Sequence, residues 1–139
     1  MRLLTILARF GTEQYAHAEA EITNIFARQM PSVDRSVIVV DNALPREVVQ
    51  EQNGRTLIGG ENYASEFSAF NRALDYIGSD IWSYDLIHFA TSALNNLYVA
   101  YLERFDSNLL EAIASRPACV GHIDCYNETI EVMRFRSQH

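Results

Sequence analysis

Four β-branched residues in a row, Val37-Ile38-Val39-Val40, end abruptly at Asp41-Asn42. A run of this kind has no polar face to give to water, so it reads as a strand covered on both sides, the situation of a parallel sheet packed between helices. The rest of the chain agrees with that constraint. Leu3 to Phe10 is a short apolar run, read as a buried strand and punctuated by Gly11 and Thr12. Thr12 is the expected N-cap of a helix with Glu13 in its first turn. The 3.6-residue recurrence of Tyr15, Ala18, Ile22, Ile25 and Phe26 predicts an amphipathic helix that Pro31 stops. After Val37–Val40 comes a polar stretch through Arg55, then a short strand from Thr56 to Ile58 closing at Gly59-Gly60. Phe67, Phe70, Leu74 and Ile77 mark the core stripe of a second helix, ended by Gly78. Leu86 to Ala90 is the next strand. Leu97, Tyr101, Leu102, Phe105, Leu109 and Ile113 suggest one helix or a broken pair, with Pro117 beyond it, and Ala118 to Ile123 reads as a last strand. Strands alternating with helices predict a single α/β domain over residues 1–139, a three-layer α/β/α sandwich around a mostly parallel, Rossmann-like sheet.

Composition removes whole classes of function. All 11 basic residues are arginine against 18 acidic ones, for a net charge of −7. An acidic chain lacks the basic face that nucleic acid or an anionic membrane requires. The absence of lysine excludes a Walker-type phosphate loop, a pyridoxal Schiff base and a lysine general base. No stretch approaches the roughly 20 apolar residues of a membrane span. Leu3–Ala8 is too short for a signal peptide, so a cytoplasmic location is expected. Cys119 and Cys125 form neither a CxxC nor a zinc pattern. On one extended strand they would stand roughly 20 Å apart, beyond disulfide reach, and are expected as buried free thiols.

In parallel sheets, ligands bind outside the carboxyl ends of the strands. Those ends are Ala8-Arg9-Phe10, Asp41-Asn42, Gly59 to Asn62 and Thr91-Ser92-Ala93. They offer small residues, an arginine, a carboxylate and an aromatic ring, which is the equipment of a nucleotide or sugar pocket. Each has a plainer reading: Asp41 as a turn former, Gly59-Gly60 as a turn, Arg72 as part of a solvated helix face, His88 as a hydrogen-bonded core histidine. His122 and Asp124 alternate on the expected last strand and could lie side by side.

Four segments carry a family resemblance: Val37-Ile38-Val39-Val40-Asp41-Asn42-Ala43, Gly60-Glu61-Asn62, Glu66 to Leu74 with Asn71-Arg72 inside it, and Tyr84 to Ala90. In this order and spacing they resemble the nucleotide-binding half of a GT-A glycosyltransferase of the family 2 type, over residues 3–125. The resemblance implies a GT-A type sheet and a nucleoside-diphosphate sugar as partner, its glycosyl group transferred to an acceptor. It implies that Asp41 meets the base, that Ala8, Arg9 and Phe10 line base and ribose, and that Asn62, Asn71 and Arg72 lie near ribose and diphosphate. The acid pair that holds a divalent metal, manganese or magnesium, in the family falls on Thr91 and Ser92, so a cation would need ligands from elsewhere, such as Asp124. Asp124 and His122 are the candidate bases toward an acceptor hydroxyl. Family domains are longer and carry an acceptor half, so the chain is expected to be a truncated domain or a small relative holding the donor half. The alternative is a non-catalytic nucleotide-binding or scaffold module on the same fold, and an exposed sheet edge would make it an oligomer.

Overall fold

A computed structural model describes residues 1–94 and 102–120. The first strand, β1 (Arg2–Arg9), is followed by α1 (Ala18–Gln29), β2 (Asp34–Asp41), β3 (Val49–Gln52), β4 (Arg55–Gly59) and α2 (Ser65–Ile77). A 3-10 turn (Gly78–Ser83), β5 (Leu86–Thr91) and α3 (Ser107–Ala114) complete the described elements. The architecture is α/β, and the described residues form one five-stranded sheet in the order β3-β4-β2-β1-β5. Among the described strands only β3 runs antiparallel to its neighbour. Register brings the carboxyl ends level: Arg9 pairs with Asp41, Asp41 with Gly59, and Ala8 with Thr91.

Each face of the sheet carries its own core. Leu3 and Leu7 of β1 pack with Ile22, Ile25 and Phe26 of α1, together with Leu102 and Leu110. Leu4, Ile6 and Ala8 pack with Ala69 and Ala73 of α2. Alternate residues of one strand point to opposite faces, so helical side chains cover both. The three large α1 residues contribute on the order of 2 kcal/mol each by leaving water. Arg35 closes the far end of α1, its guanidinium donating to the carbonyls of Met30 (2.6 Å) and Val33 (3.3 Å).

The structure corrects several expectations. The first helix starts at Ala18 after His17, not at Thr12, which is exposed. Residues 10–17 instead turn across the strand ends, with Gly11 at φ +70° and the Ala18 N–H donating to the Tyr15 carbonyl. The second helix is rotated from the expected stripe: Ser68, Ala69 and Ala73 are buried, while Phe67 is 67% exposed and Leu74 is also exposed. Small side chains let its backbone approach the sheet, and the flanking Phe70 and Ile77 close the sides. Strand β3 was not expected. Asn53-Gly54 turns it into β4 with both residues at positive φ, the two-residue hairpin geometry that Asn-Gly favours. Of the one helix or broken pair expected from Leu97 to Ile113, the described residues show α3, capped by the Asp106 carboxylate, which accepts from the Leu109 N–H at 2.9 Å. Ala118 to Val120 form no strand, and Cys119 is exposed instead of buried. Leu97, Tyr101, Cys125 and the rest of the expected last strand lie outside the described residues. Among the described residues no helix is long and apolar enough to cross a membrane.

Gly59 shows how closely the strand ends approach the preceding loop. A Cβ there would sit 1.7 Å from the Pro45 carbonyl oxygen, a backbone atom that cannot step aside. Gly59→Ala is therefore expected to cost about 3 kcal/mol or more, the upper range for overpacking, measured as a loss of thermal stability.

Candidate functional site

At the centre of the strand ends lies the carboxylate of Asp41, 2% exposed. One oxygen, Oδ2, accepts from Arg9 Nε at 2.8 Å. The other, Oδ1, accepts from the backbone N–H groups of Gly11 at 2.8 Å and Ala43 at 3.0 Å. The turn after β1 and the turn after β2 are thus fastened to one side chain. Burial by itself would raise the carboxyl pKa; the hydrogen bonds from Gly11, Ala43 and Arg9 override it and hold the pKa below its ordinary value. Arg9 continues the network, with NH1 3.8 Å from Glu19 in the first turn of α1. Glu19 in turn receives both Nε and NH2 of Arg55 on β4. Acid and base alternate from the β2 end through β1 and α1 to β4.

Around this centre, backbone pairing runs one residue past the strands: Asn42 N–H to Arg9 O, Gly60 N–H to Asp41 O and Ser92 N–H to Ala8 O, at 2.9, 3.0 and 2.9 Å. The Asn42 amide donates to the Ser65 carbonyl at 2.9 Å and to Asn62 Oδ1 at 3.5 Å, which ties β2 to the start of α2. Arg72 Nε donates to the Gly59 carbonyl and its NH2 to the Arg46 carbonyl, both at 3.3 Å.

Register and these contacts gather Ala8, Arg9, Phe10, Asp41, Thr91 and Ser92 at one edge of the sheet, with Asn62 joined through Asn42. They differ in what they leave for a ligand. Ala8, Asp41 and Ser92 are buried, Arg9 is held between two carboxylates, and Thr91 is half-buried. Phe10 is 64% exposed. Asn71 is exposed on α2, while the guanidinium of its neighbour Arg72 is committed to backbone carbonyls. Gly59-Gly60 serves close packing against the Leu44-Pro45 backbone and Asn42. His122 and Asp124 lie outside the described residues. His88 sits in mid-strand opposite Thr5, its ring edge-on to Phe26 at 5.1 Å and its Nδ1 3.4 Å from Thr5 Oγ1. Burial lowers its pKa to about 4, so it is neutral near pH 7, half-buried beside Phe26.

A second feature was not expected. A groove of about 1020 Å³ follows β5, lined by Phe67, Phe70, Trp82, Ile87, Phe89 and Leu102 among others, and meets the strand ends at Thr91. Its signal in the sequence was the aromatic content of residues 67–89, of which Phe67 and Phe70 marked a helix and Phe89 fell in a strand read as buried.

A divalent cation asks for hard oxygen ligands, carboxylates foremost. Thr91 and Ser92 offer hydroxyls, the Asp41 carboxylate is already occupied, and no group of three His, Cys, Asp or Glu able to hold a metal occurs among the described residues. Neither the Thr91-Ser92 pair nor Asp41 offers a free carboxylate for such an ion, and Asp124, the ligand expected from elsewhere, lies outside the described residues. Comparison of the chain with protein-family models, curated proteins and solved structures finds no match.

Two titrations follow. The Asp41 pKa is lowered from 3.8, so its contribution is complete above about pH 4 and is lost as the pH falls through the folded value. Asp41→Ala should cost about 3 kcal/mol by denaturant unfolding at pH 7, the low end for a broken buried pair because Arg9 keeps Glu19. His88, at about 4 instead of 6.5, takes its proton more readily when unfolded. Stability is therefore expected to fall by about 3 kcal/mol between pH 6.5 and 4, and His88→Asn to flatten that part of the profile.

Proposed function

We propose that the chain binds a nucleoside-diphosphate sugar at the carboxyl ends of β1, β2 and β5 and acts as a glycosyltransferase-like protein. The observation that carries this reading is the strand order. From β1 the parallel strands run outward through β2 to β4, and then the chain returns to place β5 on the opposite side of β1. Ligands in open parallel sheets lie in the crevice where the order reverses, and that point falls between Ala8-Arg9-Phe10 and Thr91-Ser92. On this reading the two cores belong to a three-layer α/β/α sandwich of Rossmann-like, GT-A type. The motif order from Val37-Ile38-Val39-Val40-Asp41 to Tyr84–Ala90 supports the same assignment.

A second reading has its own support. Thr91-Ser92-Ala93 stands where the resemblance implies a metal-holding acid pair, so the same site would serve a non-catalytic nucleotide-binding module. Turnover separates the two: release or transfer of sugar from any nucleotide donor retains the enzyme and removes the binding module.

Nucleotide binding is tested by thermal shift with uridine and guanosine diphosphates and their sugar conjugates, with and without magnesium or manganese. A ligand confined to the folded state adds about 2.7 kcal/mol at a hundred times its Kd, so a rise in Tm with concentration is the expected result. No rise with any nucleotide at millimolar concentration contradicts the proposal.

A further inference from the structure

The aromatic groove beside β5 takes no part in the strand-end network, and its own residues define what fits it. Ile87 and Phe89, alternate residues of β5 and so on one face, are both exposed. Phe67 of α2 lines the same groove, as does Trp82 of the 3-10 turn, 87% exposed. Phe70 holds the rings in place, edge-on to Phe67 at 6.4 Å and to Phe89 at 5.1 Å. Single exposed apolar residues are ordinary, but large ones gathered on one surface mark a contact site. Among the described residues the charged side chains lining the groove are Glu66 and Asp85, both acidic. The half-buried Glu66 carboxylate has no hydrogen-bond or ion-pair partner among the described residues. At the other end, Asp85 accepts from the Arg2 N–H at 2.7 Å, and the Arg2 guanidinium lies over the Tyr84 ring, 4.6 Å from its centroid.

Aromatic faces and an unpaired carboxylate attract the same partner, a cation, and a guanidinium suits both because it stacks as well as pairs. Nucleic acid and anionic membrane carry the wrong charge for this surface. A two-fold contact between copies of the chain would set Glu66 and Asp85 against their own counterparts. The groove follows a strand of six residues, roughly 20 Å at about 3.3 Å per residue, which is the reach of a segment of chain and not of one small cation. We infer that the groove docks a segment of another protein in which arginines are interspersed with aliphatic residues. The aliphatic side chains rest on Ile87 and Phe89, the guanidinium groups on Phe67 and Trp82, and Glu66 takes up the charge. This surface is independent of the nucleotide reading, and the failure of either leaves the other standing.

Trp82 is the one tryptophan of the chain, so its fluorescence reports on the groove directly. The full chain is titrated with the peptide acetyl-Leu-Arg-Val-Leu-Arg-Val-amide and with the same peptide carrying glutamate in place of arginine. The arginine peptide is expected to shift Trp82 emission to shorter wavelength with saturation, more weakly as salt rises, and the glutamate peptide to leave it unchanged. Phe67→Ser, at an exposed ring, is expected to weaken the arginine peptide roughly tenfold, within the span of a desolvated cation–π contact. Glu66→Gln is expected to weaken it several-fold and to flatten the salt dependence; should Phe67→Ser not fold, this variant carries the comparison. No response to the arginine peptide, equal binding of both peptides, or unchanged affinity in the variants overturns the inference. Two further results overturn the choice of occupant. A Trp82 shift that follows protein concentration, with dimers in sedimentation, assigns the groove to a second copy. A Trp82 shift in the unliganded chain on Arg134→Glu/Arg136→Glu assigns it to the chain's own C-terminal residues.

Discussion

One carboxylate joins the pieces of chain that form the end of the sheet. Asp41 is buried with its charge intact because three donors converge on it, two of them backbone N–H groups that would otherwise need partners of their own. Its position at the end of β2, level with Arg9 in the register, makes the arrangement possible: adjacent parallel strands that finish together present their last side chains to each other. The Arg9–Glu19–Arg55 continuation ties α1 and β4 to the same centre. The geometry of the strand ends, and of whatever binds there, depends on that network.

The α/β class was legible because the Val37–Val40 run and the strand-helix alternation are strong local signals, and the buried α1 positions Ala18, Ile22, Ile25 and Phe26 followed directly from their spacing. The start of that helix was not legible. Thr12 is a good cap by residue type, but the turn before α1 is set by Gly11 reaching Asp41, a contact between residues thirty apart. The phase of α2 failed for a related reason: spacing reports an apolar stripe, whereas close approach to the sheet selects the small residues Ser68, Ala69 and Ala73. The hairpin was hidden by its own exposure. Val49-Gln50-Glu51-Gln52 has no buried face to create an alternation, as suits an edge strand, and only Asn53-Gly54 signalled the turn.

At the site, the sequence located the strand ends correctly because topology places them, and register then brought Ala8, Arg9, Asp41 and Thr91 into one row. What each residue does there was beyond its reach. Arg9 and Asp41, each of ligand type, satisfy each other, and Arg72 satisfies backbone carbonyls. A charged residue at a strand end is free for a ligand only when no neighbour has taken it, and neighbours are a tertiary fact. The β5 groove carries the same lesson in reverse, since its aromatic residues fit a core by type but line a groove beside β5.

The most direct measurement is a map of backbone amide shifts in labelled protein during titration with uridine diphosphate. The changes are expected to centre on Phe10, Gly11, Asn42, Thr91 and Ser92, with the Gly11 and Ala43 amides retaining their hydrogen-bonded character throughout. Changes confined to Phe67, Trp82, Ile87 and Phe89 along the β5 groove, or none at all, would contradict it.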